Sequence, residues 1–410
     1  MTPAVTSSHG IARARRAWPR LATATFLLGL VLAVLLVRLL PPAPAFSRRL
    51  GRATYWQSYE TSYFASLRAY EKAISDVLGR GRIPVVVFGD STIRGAGAAG
   101  DEVWTRVLER RLKAVNSRVR VLNYAQNAGD LMGPFLYHHL QRRFPEARYI
   151  MQWHFGGQVG ARHPFHFWLT SEIALRDGTE NPAVRRSFTI VPVTKAEERY
   201  AFVLASLNIL TNHLDAGNWI RYRWLGRPYF DADRRVKIQP LRDAPEVDVS
   251  VTRFVPPEQE KTAETLRGIF IANQAARDHY LQRSLEERAT YFADMYPTRL
   301  RSHLLLLTLD FNPYYAPHED AAEMKVWRGM WAQLRADMAR IPDLRWVSLT
   351  GSDGRMEVDD YVDLGHLTSR GQRRLGDAVA ENLLAPGGWF DLATPGAGRP
   401  PARLAGKPID

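Results

Sequence analysis

Short, continuous apolar runs alternate along this chain with longer segments whose apolar residues recur at helical spacing. Pro84-Val85-Val86-Val87-Phe88 is apolar throughout and stops at Gly89. A run of this kind predicts a strand buried on both faces, as in a parallel sheet. Asp101 to Val115 then places Val103, Val107, Leu108, Leu112 and Val115 on one helical face. Arg118 to Asn123 predicts a second strand, Leu131 to Arg143 a second helix, and Tyr149 to Phe155 a third strand. Strands and helices in strict alternation predict parallel strands joined by right-handed crossovers. The rhythm returns at His303 to Leu309, which contains four successive leucines. A helix over 321–340, a strand over Arg345–Leu349 and a closing helix with Leu375, Val379 and Leu383 on one face complete it. The pattern predicts an α/β core built from residues 81–160 and 301–386.

Between the two halves the alternation stops. Thr194-x-x-Glu197 has the form of a capping box, and the helix it opens carries Leu204, Leu207, Leu210 and Leu214. Pro256-Pro257 precedes a helical pattern from Glu258 to about Tyr296. Residues 161–300 therefore read as a helical insertion, with lid, docking face and plain scaffold all open as roles. Glycine and proline dominate beyond Pro386, so 387–410 reads as a loose tail.

The N-terminus has a different pattern. Residues 1–20 are polar and basic, with Arg13, Arg15, Arg16 and Arg20, and Leu21 to Val37 carries no charge. That run meets the lower limit for a bilayer span, ~17 residues, and Arg38 can snorkel to the interface. Residues 21–40 read as a single transmembrane anchor with the first 20 residues in the cytoplasm and the rest of the chain exported. Arg48, Arg49 and Arg52 on the far side weaken the charge bias. A cleaved signal peptide is the competing reading, since Ala43-Pro44-Ala45 has the small-x-small form of a cleavage site. Residues 41–80 read as a stalk with a connecting helix, rich in aromatics (Tyr55, Trp56, Tyr59, Tyr63, Phe64, Tyr70).

The 410 residues suffice for one large domain or two modest ones. Cysteine is absent, which excludes disulfides, a thiolate nucleophile and cysteine-held metal. The formal charge of +13 comes mostly from arginines spread along the chain, with no nucleic-acid module among them, so no nucleic-acid partner is expected. A surface-charge-driven binder of anionic partners would show strong salt dependence. His163-Pro164-Phe165-His166 lacks a third ligand and reads as an aromatic loop; no metal and no cofactor is expected. No Gly-x-Gly-x-x-Gly directly follows a strand, since Gly95-Ala96-Gly97-Ala98-Ala99-Gly100 begins only beyond the Gly89–Arg94 stretch, and no Gly-x-x-x-x-Gly-Lys-Ser/Thr phosphate-binding loop occurs.

Two stretches carry candidate chemistry. Gly89-Asp90-Ser91-Thr92 sits at the carboxyl end of the first strand, where open α/β sheets place ligand sites. Asp363-Leu364-Gly365-His366 lies just ahead of the last helix. A serine hydroxyl needs an imidazole to take its proton, and the imidazole needs a carboxylate to fix its tautomer. Ser91, His366 and Asp363 supply one of each. Asp359 and Asp360 are rivals to Asp363, but the three-residue spacing to His366 favours Asp363.

Together the two stretches resemble the SGNH (GDSL-type) hydrolase superfamily. Its first block is Gly-Asp-Ser after the first strand, and its last is Asp-x-x-His before the final helix. The resemblance implies a flavodoxin-like three-layer α/β/α sandwich and a serine esterase or O-acyltransferase. It implies Ser91 as nucleophile, His366 as general base, Asp363 as its partner and Asp90 as a structural residue of the loop. The oxyanion hole would combine the Ser91 backbone N–H, the Gly129 backbone N–H after the second strand, and an amide after the third. There the family shows Gly-x-Asn-Asp, whereas this chain has Gly156-Gly157-Gln158. Gln158 keeps the carboxamide on a longer side chain; Asn127 and His154 are alternative donors. Anchored relatives look like enzymes of envelope or exopolysaccharide O-acylation. The implied partners are an acylated carbohydrate or lipid, the membrane through the N-terminal helix, and an integral-membrane acyltransferase. The altered third block leaves a second reading open, a non-catalytic accessory or glycan-binding member.

Overall fold

The computed structural model describes residues 8–39, 66–95, 102–125, 129–152, 168–190, 195–214, 216, 282, 284–309, 312–314, 322–349, 355–363 and 365–390. Its centre is a five-stranded sheet in the order β2-β1-β3-β4-β5, with every pair parallel. The strands are β1 (Ile83–Phe88), β2 (Val119–Asn123), β3 (Arg148–Gln152), β4 (Leu304–Leu309) and β5 (Arg345–Leu349). The chain moves to one side of β1 to form β2 and to the other to form β3. β1 is therefore the point where the strand order reverses, the place where such sheets bind ligands at their carboxyl ends.

The apolar runs that predict the strands also explain the layers. Successive strand side chains point to opposite faces. Val86, Phe88, Tyr149, Met151, Leu304 and Leu306 enter one core, while Val85, Val87, Ile150, Leu305 and Leu307 enter the other. Helices cover both faces. On the first lie α2 (Leu67–Gly79), α5 (Gly129–Arg143) and α9 (Leu285–Met295); on the second lie α4 (Trp104–Val115) and α12 (Ser369–Leu384). The strand and helix bounds fall within three residues of the periodic pattern, with the end of the third-strand prediction, 153–155, outside the described residues.

The second face locks the two ends of the core together. Gln372 on α12 accepts the Trp104 backbone N–H of α4 at 3.1 Å. At Gly376 a Cβ would lie 2.7 Å from Val107 Cβ and 2.8 Å from the Trp104 carbonyl, so the helices approach at a distance only glycine allows. Edge strand β2 is tied to α4 by the buried carboxylate of Glu109, which accepts the Val121 backbone N–H at 3.1 Å and Arg120 Nη1 at 2.6 Å.

Before β1, α1 (Ser8–Leu39) contains an 18-residue segment, Ala22–Leu39, long and apolar enough to cross a membrane, with its large apolar side chains exposed. A single turn, α3 (Ser91–Arg94), follows β1. In the region expected as an insertion, α6 (Trp168–Asp177), α7 (Pro182–Ile190) and α8 (Ala196–Thr211) precede α9 and the short α10 (Thr298–Arg301). α11 (Ala322–Ala339) links β4 and β5. Asn208 of α8 donates to Glu172 of α6 at 2.9 Å. His139 of α5 is enclosed between Glu71 of α2 and Asp177 of α6, 2.8 Å from each, which joins the region to the core.

Two details differ from the pattern-based expectation. The α8 cap is one residue later than Thr194-x-x-Glu197 indicates: Glu198 accepts the Lys195 backbone N–H at 3.2 Å. The expected loose tail begins later than residue 387. Trp389 and Phe390 are buried in the second core, the Trp389 indole donates to the Ser302 carbonyl at 2.9 Å, and the Phe390 N–H returns to Leu383 at 3.0 Å. Two aromatics gain more from burial than the glycines around them lose in entropy. Residues 391–410 and the 258–281 part of the predicted Glu258–Tyr296 helix lie outside the described residues.

The tight α4–α12 contact makes a definite prediction. Gly376→Ala gains helix propensity, about 1 kcal/mol, yet must displace backbone and Val107. The expected net effect is a loss of about 1–2 kcal/mol, read as a lower urea midpoint; a higher midpoint would contradict the close approach.

Candidate active site

The turn after β1 is held from both sides of Ser91. Gly89 is obligatory, because a Cβ there would lie 2.6 Å from Ile93 Cβ and 2.8 Å from Gln152 Oε1. The Asp90 carboxylate accepts the Thr92 backbone N–H at 2.8 Å and, over a very short contact, the Thr92 hydroxyl. It thus caps the turn that Ser91 begins, which is the local reason the strand converts to helix here. Gln152, the last residue of β3 and only 3 % exposed, accepts the Asp90 backbone N–H at 2.7 Å and donates to the Thr92 hydroxyl at 3.1 Å. Ser91 is thereby bracketed by two residues that the neighbouring strand clamps. The Trp104 indole secures the far end of the turn on the Ile93 carbonyl at 2.5 Å.

The second loop is as firmly built. Tyr361 and Leu367 form an antiparallel bridge, and the Val362 N–H meets the His366 carbonyl at 2.8 Å. Inside this loop the Asp363 carboxylate accepts the Gly365 N–H at 3.0 Å and the His366 N–H at 2.8 Å through one oxygen. Its other oxygen lies 2.7 Å from His366 Nδ1. Asn312, buried after β4, donates to the Asp363 carbonyl at 3.2 Å. Below the loop, the fully buried Asp360 carboxylate accepts Arg374 Nη1 at 2.7 Å and the Glu357 N–H at 2.8 Å. The Thr368 hydroxyl then caps α12 on the Gly371 N–H at 3.2 Å.

The two loops lie close together. A Cβ added at Gly365 would stand 3.5 Å from Thr92 Cγ2, so the residue beside His366 is within a side chain's reach of the residue beside Ser91. The electrostatics agree. Burial alone would push the His366 imidazole down, but the hydrogen bond and charge of Asp363, with the nearby Asp90 charge, raise it above the ordinary histidine value. Burial would push the Asp363 carboxyl up, but the His366 ring and the two backbone N–H groups hold it below the ordinary carboxylate range. Nδ1 is the ring nitrogen that faces the carboxylate.

Ser91, Asp363 and His366 thus lie on neighbouring loops. Gly129 is the first residue of α5, on the carboxyl side of β2. Gln158, Asn127 and His154 lie outside the described residues. Gln152 and Asn312 are positioning residues that the motif reading missed. The signal for Gln152 was a polar residue closing the apolar run Tyr149-Ile150-Met151; Asn312 had no comparable signal. Among the described residues no group of three or more His, Asp or Glu is placed to hold a metal ion.

No protein-family model matches the chain, and no curated protein matches it.

The pair's charge balance is directly measurable. The His366 ring resonances should titrate above the ordinary histidine value, and Asp363→Asn should move that midpoint down, because burial then works against less opposing charge. The pair's contribution to stability is present between the ordinary carboxylate and histidine ranges. It fades as acid titrates Asp363 through its lowered value and as base titrates His366 through its raised one. An unchanged His366 midpoint in Asp363→Asn would contradict the coupling.

Proposed function

We propose that this chain is a membrane-anchored serine esterase or O-acyltransferase of the SGNH (GDSL-type) kind, on a flavodoxin-like three-layer sandwich. The observation that carries the reading is the approach of the Asp363–His366 loop to the turn that Ser91 begins, at the switch point of the sheet. The sheet order and the two covered faces support the fold assignment.

The chemistry follows from the placement. Ser91 Oγ attacks the carbonyl carbon of an acyl ester as His366 Nε2 takes its proton. Asp363 holds the ring in the tautomer with Nδ1–H and stabilises the imidazolium. The tetrahedral oxyanion would be met by the Ser91 backbone N–H, with Gly129 and Gln158 as further donors. One lost donor in such a hole costs ~3 kcal/mol. The imidazolium protonates the leaving alkoxide, and the acyl group remains on Ser91. Water, or a sugar hydroxyl in the transfer reaction, gives its proton to Nε2 and attacks the acyl carbon; the acyl–Oγ bond then breaks, Nε2 returns the proton to Ser91 Oγ, and the free acid or the new ester departs.

The substrate class we assign is an acylated glycan or lipid of the cell envelope. The basic residues ahead of the apolar segment of α1 support a cytoplasmic N-terminus and a domain on the far side of the membrane. An integral-membrane acyltransferase fits as a protein partner of the domain. The replacement of Gly-x-Asn-Asp by Gly156-Gly157-Gln158 favours a second reading, in which the domain binds such a glycan without turnover.

The test uses the full chain in detergent and a small activated acetyl ester, with intact mass spectrometry for the acetyl adduct. Turnover and adduct are expected in the parent. Ser91→Ala and His366→Ala should each lose activity by roughly 10³-fold or more, because triad members act as a unit. Asp363→Asn should lose a comparable amount through the wrong tautomer. Equal rates in parent and Ser91→Ala, with no adduct, would favour the binding reading.

A further inference from the structure

Helix α8 is apolar on two sides. Ala201, Ala205 and Asn208 face inward and are buried, with Asn208 bonded to Glu172 of α6 at 2.9 Å. The opposite side presents Tyr200, Val203, Leu207 and Leu210, which are 63 %, 54 %, 47 % and 61 % exposed. Their spacing puts them on one stripe of the helix. Outside α1, the described residues include seven exposed large apolar side chains, and four of them are these. Such a concentration marks a contact surface rather than scattered exposure.

What covers the stripe is indicated by α1. Arg38, at the end of the apolar segment, donates through Nη2 to the Ile209 carbonyl of α8 at 3.0 Å. Val34 and Val37, one turn apart, are the two residues of 22–39 that are partly covered, on the part of α1 that reaches α8. A charged residue ending a span marks the level of the membrane interface. The last turn of α8, with Leu210, is therefore tied to that level. At the other end of α8, Lys195 and Arg199 are exposed, beside Tyr200. A tyrosine and cations around an aliphatic stripe suit the boundary between acyl chains and anionic headgroups. Four side chains are also too few for the ~800 Å² per side of a stable protein interface, whereas a bilayer asks only for an amphipathic helix at the correct depth.

We propose that α8 lies in the lipid interface beside the point where α1 leaves the bilayer, so that two elements set the domain on the membrane. The consequence is a fixed height and orientation of the domain over the lipid surface. The inference does not depend on the Ser91 chemistry. It rests on α1 being embedded, which the same experiment reads separately.

The absence of cysteine permits single spin labels on the full chain in vesicles of neutral and anionic phospholipid. Labels replace Leu28 in α1, Val203, Leu207 and Leu210 on the stripe, and the exposed Asp76 on α2 as the aqueous control, each as a Leu28→Cys type of variant. Collision with oxygen, which concentrates in lipid, is compared with collision with a water-soluble nickel chelate. The expected result is oxygen-dominated relaxation at the three stripe positions and at Leu28, with the nickel chelate dominant at Asp76. Nickel-dominated stripe labels beside a lipid-exposed Leu28 overturn the proposal and leave the anchor intact. Stripe labels shielded from both reagents would place protein on that face, which also overturns it. A water-exposed Leu28 removes the anchor and the proposal together.

Discussion

The 2.7 Å contact between Asp363 and His366 is the constraint on which the site depends. As a contribution to stability it is small. Asp363 is half exposed, and pairs of that kind contribute about 0–1 kcal/mol. Its importance is positional. One carboxylate meets the ring nitrogen and two backbone N–H groups of the same loop, so the imidazole is held in one orientation. That orientation is useful only because the loop itself is immobilised from outside. Asn312 holds it from β4's side, and Asp360 with Arg374 and the Thr368 cap hold it from α12. The close α4–α12 packing through Gly376 then fixes α12 against the helix that also braces the Ser91 turn.

The opposite wall is made by a different device. Gln152 has an interior position at the end of a strand, where an unbonded amide would cost ~1–3 kcal/mol. It is satisfied by Asp90 and Thr92, the residues on either side of Ser91. A buried polar group bonded in this way specifies one geometry for the turn. Glu172 shows the same economy in the helical region: burial raises its carboxyl above the ordinary value despite Arg176 one turn along α6 and Asn208, whose bond joins α8 to α6.

Much of the fold was legible because its signals are local and periodic. Continuous apolar runs such as Val85–Phe88 and Leu304–Leu307 can be satisfied only between two covering layers, and the structure covers them so. The Gly-Asp-Ser and Asp-x-x-His stretches were legible because their chemistry is encoded within a few residues each. Contacts that depend on three-dimensional convergence were not. Gln152 and Asn312 act on residues far away in sequence, and Trp389 and Phe390 find their core only after β4 and α12 are in place. The α8 cap was displaced by one residue because Glu197 and Glu198 are adjacent and equally suited in sequence; the geometry selects the second.

The central claim is that His366, held by Asp363, activates Ser91. Its most direct test is to treat the full chain with an alkyl fluorophosphonate, which modifies activated serines, and to map the product by peptide mass spectrometry. The account predicts one phosphonyl group, on Ser91, formed in the folded parent and lost in His366→Ala and after unfolding. Modification absent from Ser91, or equal in parent and His366→Ala, would contradict it.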